Sequence, residues 1–260
     1  MTPNPFAYVK PWPRPKKEEC VFYHSITYPD GEQVESAWDI RDYFDSYIGG
    51  YPVKGKTLLD VGTASGFLTF HAEKVGAIVT SLDAGSGREI NHIPLANLPY
   101  FSDRRAFIEA NDHYLKLLKN SYWYGWYKFN SNARVAYIPI ADLPLWEQKF
   151  DVVLAGAIVE HMSDPVTMIG NITSRAKEAV IIAFTFVDDT DELKLTAAPN
   201  WAHNTAENSY TWWVLSRGLY QKIFDNLGFD VEFVDSKAIG RYAKHTAPTT
   251  KKTIIARKRG

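Results

Sequence analysis

The stretch LLDVGTASGFLTF, residues 58–70, constrains the fold more than any other segment. An apolar run ends on a glycine and gives way at once to apolar residues at helical spacing. That is how a buried strand feeds a tight turn and a helix, and it points to an α/β chain. Gly62 and Gly66 allow a backbone to approach a ligand closely, and the start of a helix presents unpaired amide groups to it. A dinucleotide turn would read GxGxxG, but Ala64 stands where its middle glycine belongs, leaving GxxxG. The GxxxxGK phosphate loop is absent as well.

The residues beyond the turn carry more information. The helical segment SGFLTFHAEKVG ends near Gly76, and AIVTSLDA is a second strand ending on Asp83. Asp83 lies roughly twenty residues beyond the turn, where a carboxylate can accept hydrogen bonds from both hydroxyls of a ribose. That position suits either NAD or S-adenosylmethionine. Asp60, just before Gly62, would repel a pyrophosphate and suits an amino-bearing or cationic cofactor. Downstream, RRAFIEANDHYLKLLKN reads as an amphipathic helix that precedes the aromatic cluster YWYGWYKF. ARVAYIPI, FDVVLAG and EAVIIAFTF read as three further strands, with PVTMIGNITSRA as a helix before the last of them. Ser216 is placed to cap RGLYQKIFDNLG, and FDVEFVDS with KKTIIARK reads as a closing antiparallel pair.

Length and composition limit the function. The 260 residues suit one sizeable domain, and a net charge of -1 lacks the basic footprint of a general nucleic-acid binder. Cys20 is the single cysteine, which rules out a disulfide within the chain and a thiolate-rich metal site, and no metal is expected. No segment has the apolar length of a membrane span, and cytoplasmic residence is the default expectation. Residues 1–50 read as an extended arm and active-site cap. Residues 51–260 read as the main domain, with substrate-side insertions near 85–133 and 187–214. The aromatic clusters place Tyr122, Trp126 and Trp213 as candidate walls of an organic-ligand pocket, and they suit a homodimer interface equally well. Trp201 and His203 in the long polar connection, and Arg217 after it, are further candidates for substrate contact. The acidic DDTDE at 188–192 reads as a solvated loop.

Taken in order, LLDVGTASGF, VTSLDA and ADLPLWEQKFDVVLAGAIVEHMSDP resemble the successive motifs of the class I S-adenosylmethionine-dependent methyltransferases. NLGFDVEFVD and TIIARK are similar to that family's closing segment. More narrowly, FYHSITYPDG, AWDIR and WWVLSRGLYQKIFDNLGF resemble the branch of wobble-uridine tRNA (carboxy)methyltransferases and their small-molecule-like relatives. The resemblance implies a Rossmann-like class I methyltransferase fold. Its central sheet would be mostly parallel with an antiparallel closing strand, carry an N-terminal cap, and bind S-adenosylmethionine. It implies that Gly62, Thr63 and Gly66 frame the methionine portion, that Asp60 holds the amino group and that Asp83 holds the ribose. Ala84 would line the adenosine pocket, Ile140 and Ala141 the adenine side, and Gly156 the same crevice, with Trp38 packed over the cofactor. His24 and His161 are the candidate bases. The expected reaction is methylation of an oxygen or nitrogen of a small metabolite, glycosylated or aromatic. RNA methyl- or carboxymethyl transfer and non-catalytic binding of an adenosine ligand are the alternatives, with NAD-dependent oxidation behind them.

Overall fold

A computed structural model describes residues 7–90, 103–197, 213–240 and 247–260. A short hairpin comes first, β1 (Ile26–Thr27) with β2 (Gln33–Val34), followed by β3 (Trp38–Asp39) and a single helical turn, α1 (Phe44–Tyr47). The stretch AWDIRDYFDSYI at 37–48, whose composition suggests a short helix, is therefore part strand. The strand–helix–strand unit comes next as β4 (Thr57–Val61), α2 (Phe67–Lys74) and β5 (Ile78–Asp83). After it lie α3 (Arg104–Phe129), β6 (Arg134–Tyr137), β7 (Phe150–Gly156), α4 (Pro165–Thr173) and β8 (Ala176–Thr185). The second insertion is not merely a polar loop. It contributes β9 (Val187–Asp188), β10 (Leu195–Ala197) and β11 (Trp213–Ser216), which pair into a small sheet. α5 (Arg217–Asn226), β12 (Phe229–Gly240) and β13 (Thr249–Lys258) complete the chain. Ser216 caps α5 as expected, accepting the Leu219 amide at 3.1 Å.

The main sheet has eight strands in the order β3-β12-β13-β8-β7-β4-β5-β6. From β8 to β6 the strands run parallel, while β13 lies antiparallel to β8, β12 to β13 and β3 to β12. From β4 the chain winds outward through β5 and β6, then returns to lay β7 on the other side of β4. The strand order therefore reverses between β4 and β7, and the crevice outside their carboxyl ends is where open sheets of this kind hold ligands.

Alternating side chains fill two cores, one on each face. Leu58, Val152, Leu154 and Ile181 face the side covered by α2, α3 and the N-terminal segment. Leu59, Val153, Ala155 and Ile182 face the side covered by α4 and α5. Strands buried on both faces explain why their sequences read as near-continuous apolar runs.

α3 departs from the sequence expectation. Asp103 caps its start through the Ala106 amide, and Asn130 ends it in the left-handed region at φ 49°. Between them the helix runs straight through the aromatic cluster. Leu115, Leu118, Tyr122 and Trp126 recur at spacings of three and four, one face of a helix. The middling helix propensity of Trp and Tyr hides this continuity, and burial overrides it. The N-terminal arm is bound along the same helix. Ser121 Oγ donates to the Val21 carbonyl at 2.5 Å, Asn120 Nδ2 to Glu19 at 2.8 Å, and Tyr127 to Trp12 at 2.8 Å. Farther along the arm, the Val9 amide donates to Val135 of β6 at 2.8 Å.

Candidate functional site

The turn after β4 is built on two left-handed glycines, Gly62 at φ 76° and Gly66 at φ 86°. Gly66 caps α2, and a Cβ there would fall 2.5 Å from Phe70 Cε2 and 2.9 Å from Tyr122 Cδ2. Ala64, between them, adopts φ 48° without the glycine that would make it easy. Its amide donates to Asp83 Oδ2 at 2.9 Å, and the Ala84 amide takes the other carboxylate oxygen at 2.7 Å. Asp83 is half-buried, with its pKa raised by burial. The second strand end is thus tied to the turn, and each Asp83 oxygen keeps a lone pair for a ligand.

Asp60 lies beneath this turn with no exposure. Thr69 of α2 donates to its Oδ2 at 2.7 Å, while Oδ1 has no partner among the described residues. Because the Thr69 proton goes to the carboxylate, Ser81 donates to Thr69 and Tyr122 to Ser81, while the Thr63 hydroxyl lies 3.0 Å from Thr69 Oγ1 and also reaches the Asp60 carboxylate. Burial pushes the Asp60 pKa up from 3.8 to about 6. An orphaned, fully buried carboxylate oxygen is costly unless something positive completes it.

The N-terminal segment closes over the turn. The amides of Tyr23 and His24 both point at Ser65 Oγ, at 3.2 and 3.5 Å. The buried His24 ring leans on Phe67 at 5.4 Å, and its Nδ1 has no partner among the described residues. Burial, with the nearby His71, pulls its pKa from 6.5 to about 3. Ile158, in the turn after β7, fills the space that a side chain on Gly62 would need, its Cδ1 being 2.7 Å from that Cβ position. Gly156 at the end of β7 leaves room for Leu68 and for the Tyr47 hydroxyl, 2.7 and 3.3 Å from the corresponding Cβ position. Burial raises the pKa of the Tyr47 hydroxyl, and the charges of Glu160 and Asp60 add to that shift. Neither Tyr47 nor Ile158 was legible in the sequence, because contacts made after chain reversal leave no local pattern.

The other flank lies past the ends of β7 and β8. Ala157 and Phe184 both adopt left-handed backbone, at φ 47° and 55°. For a residue as bulky as Phe this costs about 1–3 kcal/mol, and such strain collects at functional sites. Phe184 stacks on Tyr47 at 5.5 Å and meets Trp38 edge-on at 5.7 Å. Trp38 packs here, on β3 at the sheet edge, and its backbone is bonded to the Tyr23–Ser25 segment that closes over the β4 turn. Glu160 is 2% exposed and accepts the Thr185 hydroxyl at 3.2 Å, with burial raising its pKa. The His161 ring is bonded to the Ala157 backbone, and burial lowers its pKa to about 4.

Of the other candidates, Ile140 and Ala141 stay on the crevice edge, and the rest of those described lie away from it. Tyr122 is 1% exposed and Trp126 donates to the Ala133 carbonyl at 3.1 Å, so both are packing residues of α3 rather than walls of an acceptor pocket. Arg217 is taken up by Asp189 and Asp191, at 2.8 and 2.9 Å, which also accounts for much of the DDTDE charge. Trp213 sits on β11, half-buried against the core on the α4–α5 side. Ile140 and Ala141 open the short 3₁₀ turn after β6, half-buried and exposed, on the same edge as Asp83. Trp201 and His203 lie outside the described residues. Among those residues no group of acidic, His or Cys side chains could hold a metal, and no helix is long and apolar enough to cross a membrane.

No protein-family model matches this chain, and no curated protein matches it. Solved structures do. The N-terminal domain of EvdMO1 with S-adenosylhomocysteine bound superposes with a TM-score of 0.52 at 14% identity, covering 94% of each chain. Magnesium protoporphyrin IX methyltransferase (ChlM) from Synechocystis PCC 6803, with S-adenosylhomocysteine bound, gives 0.50 at 14% identity over 83% of this chain and 80% of its own. The fold is that of the class I methyltransferases. Within this Rossmann-like class I fold, the mixed sheet, the antiparallel β13 and the N-terminal elements take the arrangement that the motif order implied.

Proposed function

We propose that this chain binds S-adenosylmethionine at the β4–α2 turn and methylates an oxygen or nitrogen of a small molecule. One observation carries the reading: the fully buried Asp60 has one carboxylate oxygen without a partner among the described residues, directly below a left-handed glycine turn. An α-amino group is the complement such an oxygen needs, and NAD has none to offer. Asp83, with a lone pair free on each oxygen, fits a ribose at the same edge. When bound, the sulfonium cofactor supplies an electrophilic methyl group. Gly62, Thr63 and Gly66 would shape the site for its methionine end, with Ala84, Ile140, Ala141 and Gly156 along the crevice.

The chain's own contribution is chiefly positioning, which supplies much of the rate of a bimolecular displacement. With pKa values near 3 and 4, His24 and His161 hold a proton too weakly to serve well as bases at neutral pH. Glu160, whose basicity burial raises, is the better candidate to receive the proton of an acceptor hydroxyl. The balance of charges, -1 in all, favours a small acceptor over RNA, whose phosphates call for a basic surface. The narrower likeness to the wobble-uridine tRNA branch therefore gives way to its small-molecule side.

Calorimetric titration with S-adenosylmethionine, S-adenosylhomocysteine and NADH tests the reading. The two sulfur nucleosides should bind and NADH should not. Binding of NADH alone would sink it.

A further inference from the structure

We propose that the cavity between β8 and β13 is a carboxylate subsite of the acceptor, with Lys251 as its cation, and that the acceptor is a planar aromatic acid. This rests on the methyl-transfer reading and names the acceptor class of that same site. The cavity holds about 190 Å³ and is lined by Thr185, Phe186, Asp235, Thr250 and Lys251, among others. It opens on the edge that carries the crevice. Lys252 lies opposite Thr185, and Ala183 opposite Gly156, so the cavity stands one strand over from the end of β7.

Lys251 is set for a ligand rather than for the fold. Its ammonium lies 3.7 Å from the Phe186 ring centre, 4.6 Å from that of Phe184 and 5.8 Å from that of Trp38. Among the described residues it has no carboxylate within ion-pair reach and no oxygen acceptor, whereas its neighbour Lys252 is paired with Asp235 at 2.7 Å. Ring faces stabilise the half-buried ammonium and leave its three N–H donors to solvent or to a ligand. Burial lowers the Lys251 pKa, and the Glu160 charge opposes that shift. The strained Phe184 backbone aims one of the rings that surround the cation. A flat apolar body against those rings places its carboxylate on Lys251, while the Asp235 carboxylate of the same lining stays paired with Lys252. A cationic acceptor would be repelled.

Ligand-observed NMR titration of the full chain with benzoate and cinnamate, against benzyl alcohol, cinnamyl alcohol and benzylamine, tests this. The acids should bind about tenfold or more tightly than the alcohols, and benzylamine should not bind. Lys251→Gln should erase the preference for acids and Lys251→Arg should keep it, with affinity for S-adenosylhomocysteine unchanged in both. Equal affinity for acid and alcohol in the wild type, or a preference that survives Lys251→Gln, overturns the subsite. If Lys251→Gln does not fold, the wild-type comparison decides alone. Acid preference without S-adenosylhomocysteine binding would overturn the methyl-transfer reading and leave the anion site standing. The reverse result would overturn only the subsite.

Discussion

Thr69 donates its hydroxyl proton to Asp60 Oδ2 at 2.7 Å, leaving Asp60 Oδ1 as a buried acceptor with nothing to accept among the described residues. The helix after the glycine turn thus fixes one oxygen of the carboxylate and presents the other. Such an arrangement is unfavourable for folding and useful for binding.

Replacing Asp60 with Asn should separate these two effects. The folded pKa of about 6 lies above the ordinary 3.8, so the contribution of Asp60 to stability is full below pH 3.8 and is lost as pH rises through 6. At neutral pH its ionised form costs about 3 kcal/mol, taking 1.36 kcal/mol per unit. Asp60→Asn should therefore unfold at higher urea than wild type at neutral pH, by about 1–3 kcal/mol, with the gain fading in acid. The same variant should lose S-adenosylhomocysteine binding in calorimetry.

Cofactor affinity should also depend on pH through this group. Protonation of Asp60 as pH falls through about 6 removes the charge that an amino group requires. The dissociation constant for S-adenosylhomocysteine should rise across that interval in the wild type. A flat profile from neutral pH to acid would place the amino group elsewhere.

The two turn glycines should differ in their tolerance of alanine. Both pay for left-handed backbone, about 1–2 kcal/mol. At Gly66 the new methyl meets ring atoms of the buried Phe70 and Tyr122, which cannot retreat. At Gly62 it meets the end of the Ile158 side chain, which can rotate away. Gly66→Ala should cost more than about 3 kcal/mol in chemical denaturation, and Gly62→Ala clearly less.

Tyr122→Phe removes the first donor of the hydroxyl chain that ends on Asp60. The ring packing survives, so the loss should be about 1 kcal/mol of stability. A modest weakening of cofactor binding should accompany it, read by the same calorimetry. An acceptor-binding role for Tyr122 would instead leave cofactor affinity untouched.

Much of the fold was legible because its signals are local. Apolar runs marked β4, β5, β7 and β8, Ser216 marked the start of α5, and the closing segments read as the antiparallel β12–β13 pair that the structure contains. At the β4–α2 turn, Asp60, Gly62, Gly66 and Asp83 could be picked out as neighbours because a strand, a turn and a helix lie consecutively in the chain. The aromatic cluster misled because Tyr122 and Trp126 have side chains that suit both a pocket and a core. Only the three- and four-residue spacing within α3 settles which, and that spacing is visible once the helix is known to continue.

The residues past the ends of β7 and β8 could not be read this way. Trp38, Tyr47, Glu160, Phe184 and Lys251 come from β3, α1, the turn after β7, β8 and β13, elements separated by most of the chain. The amino-acid order alone determined an α/β chain with a glycine turn, a carboxylate on each side of it and strands buried on both faces. Which side chains meet around Lys251, which aromatics are core and which histidines are held neutral were decided only by the tertiary structure. Periodicity and turn chemistry act between neighbours in sequence, while burial, ion pairing and strain depend on what the folded sheet brings together.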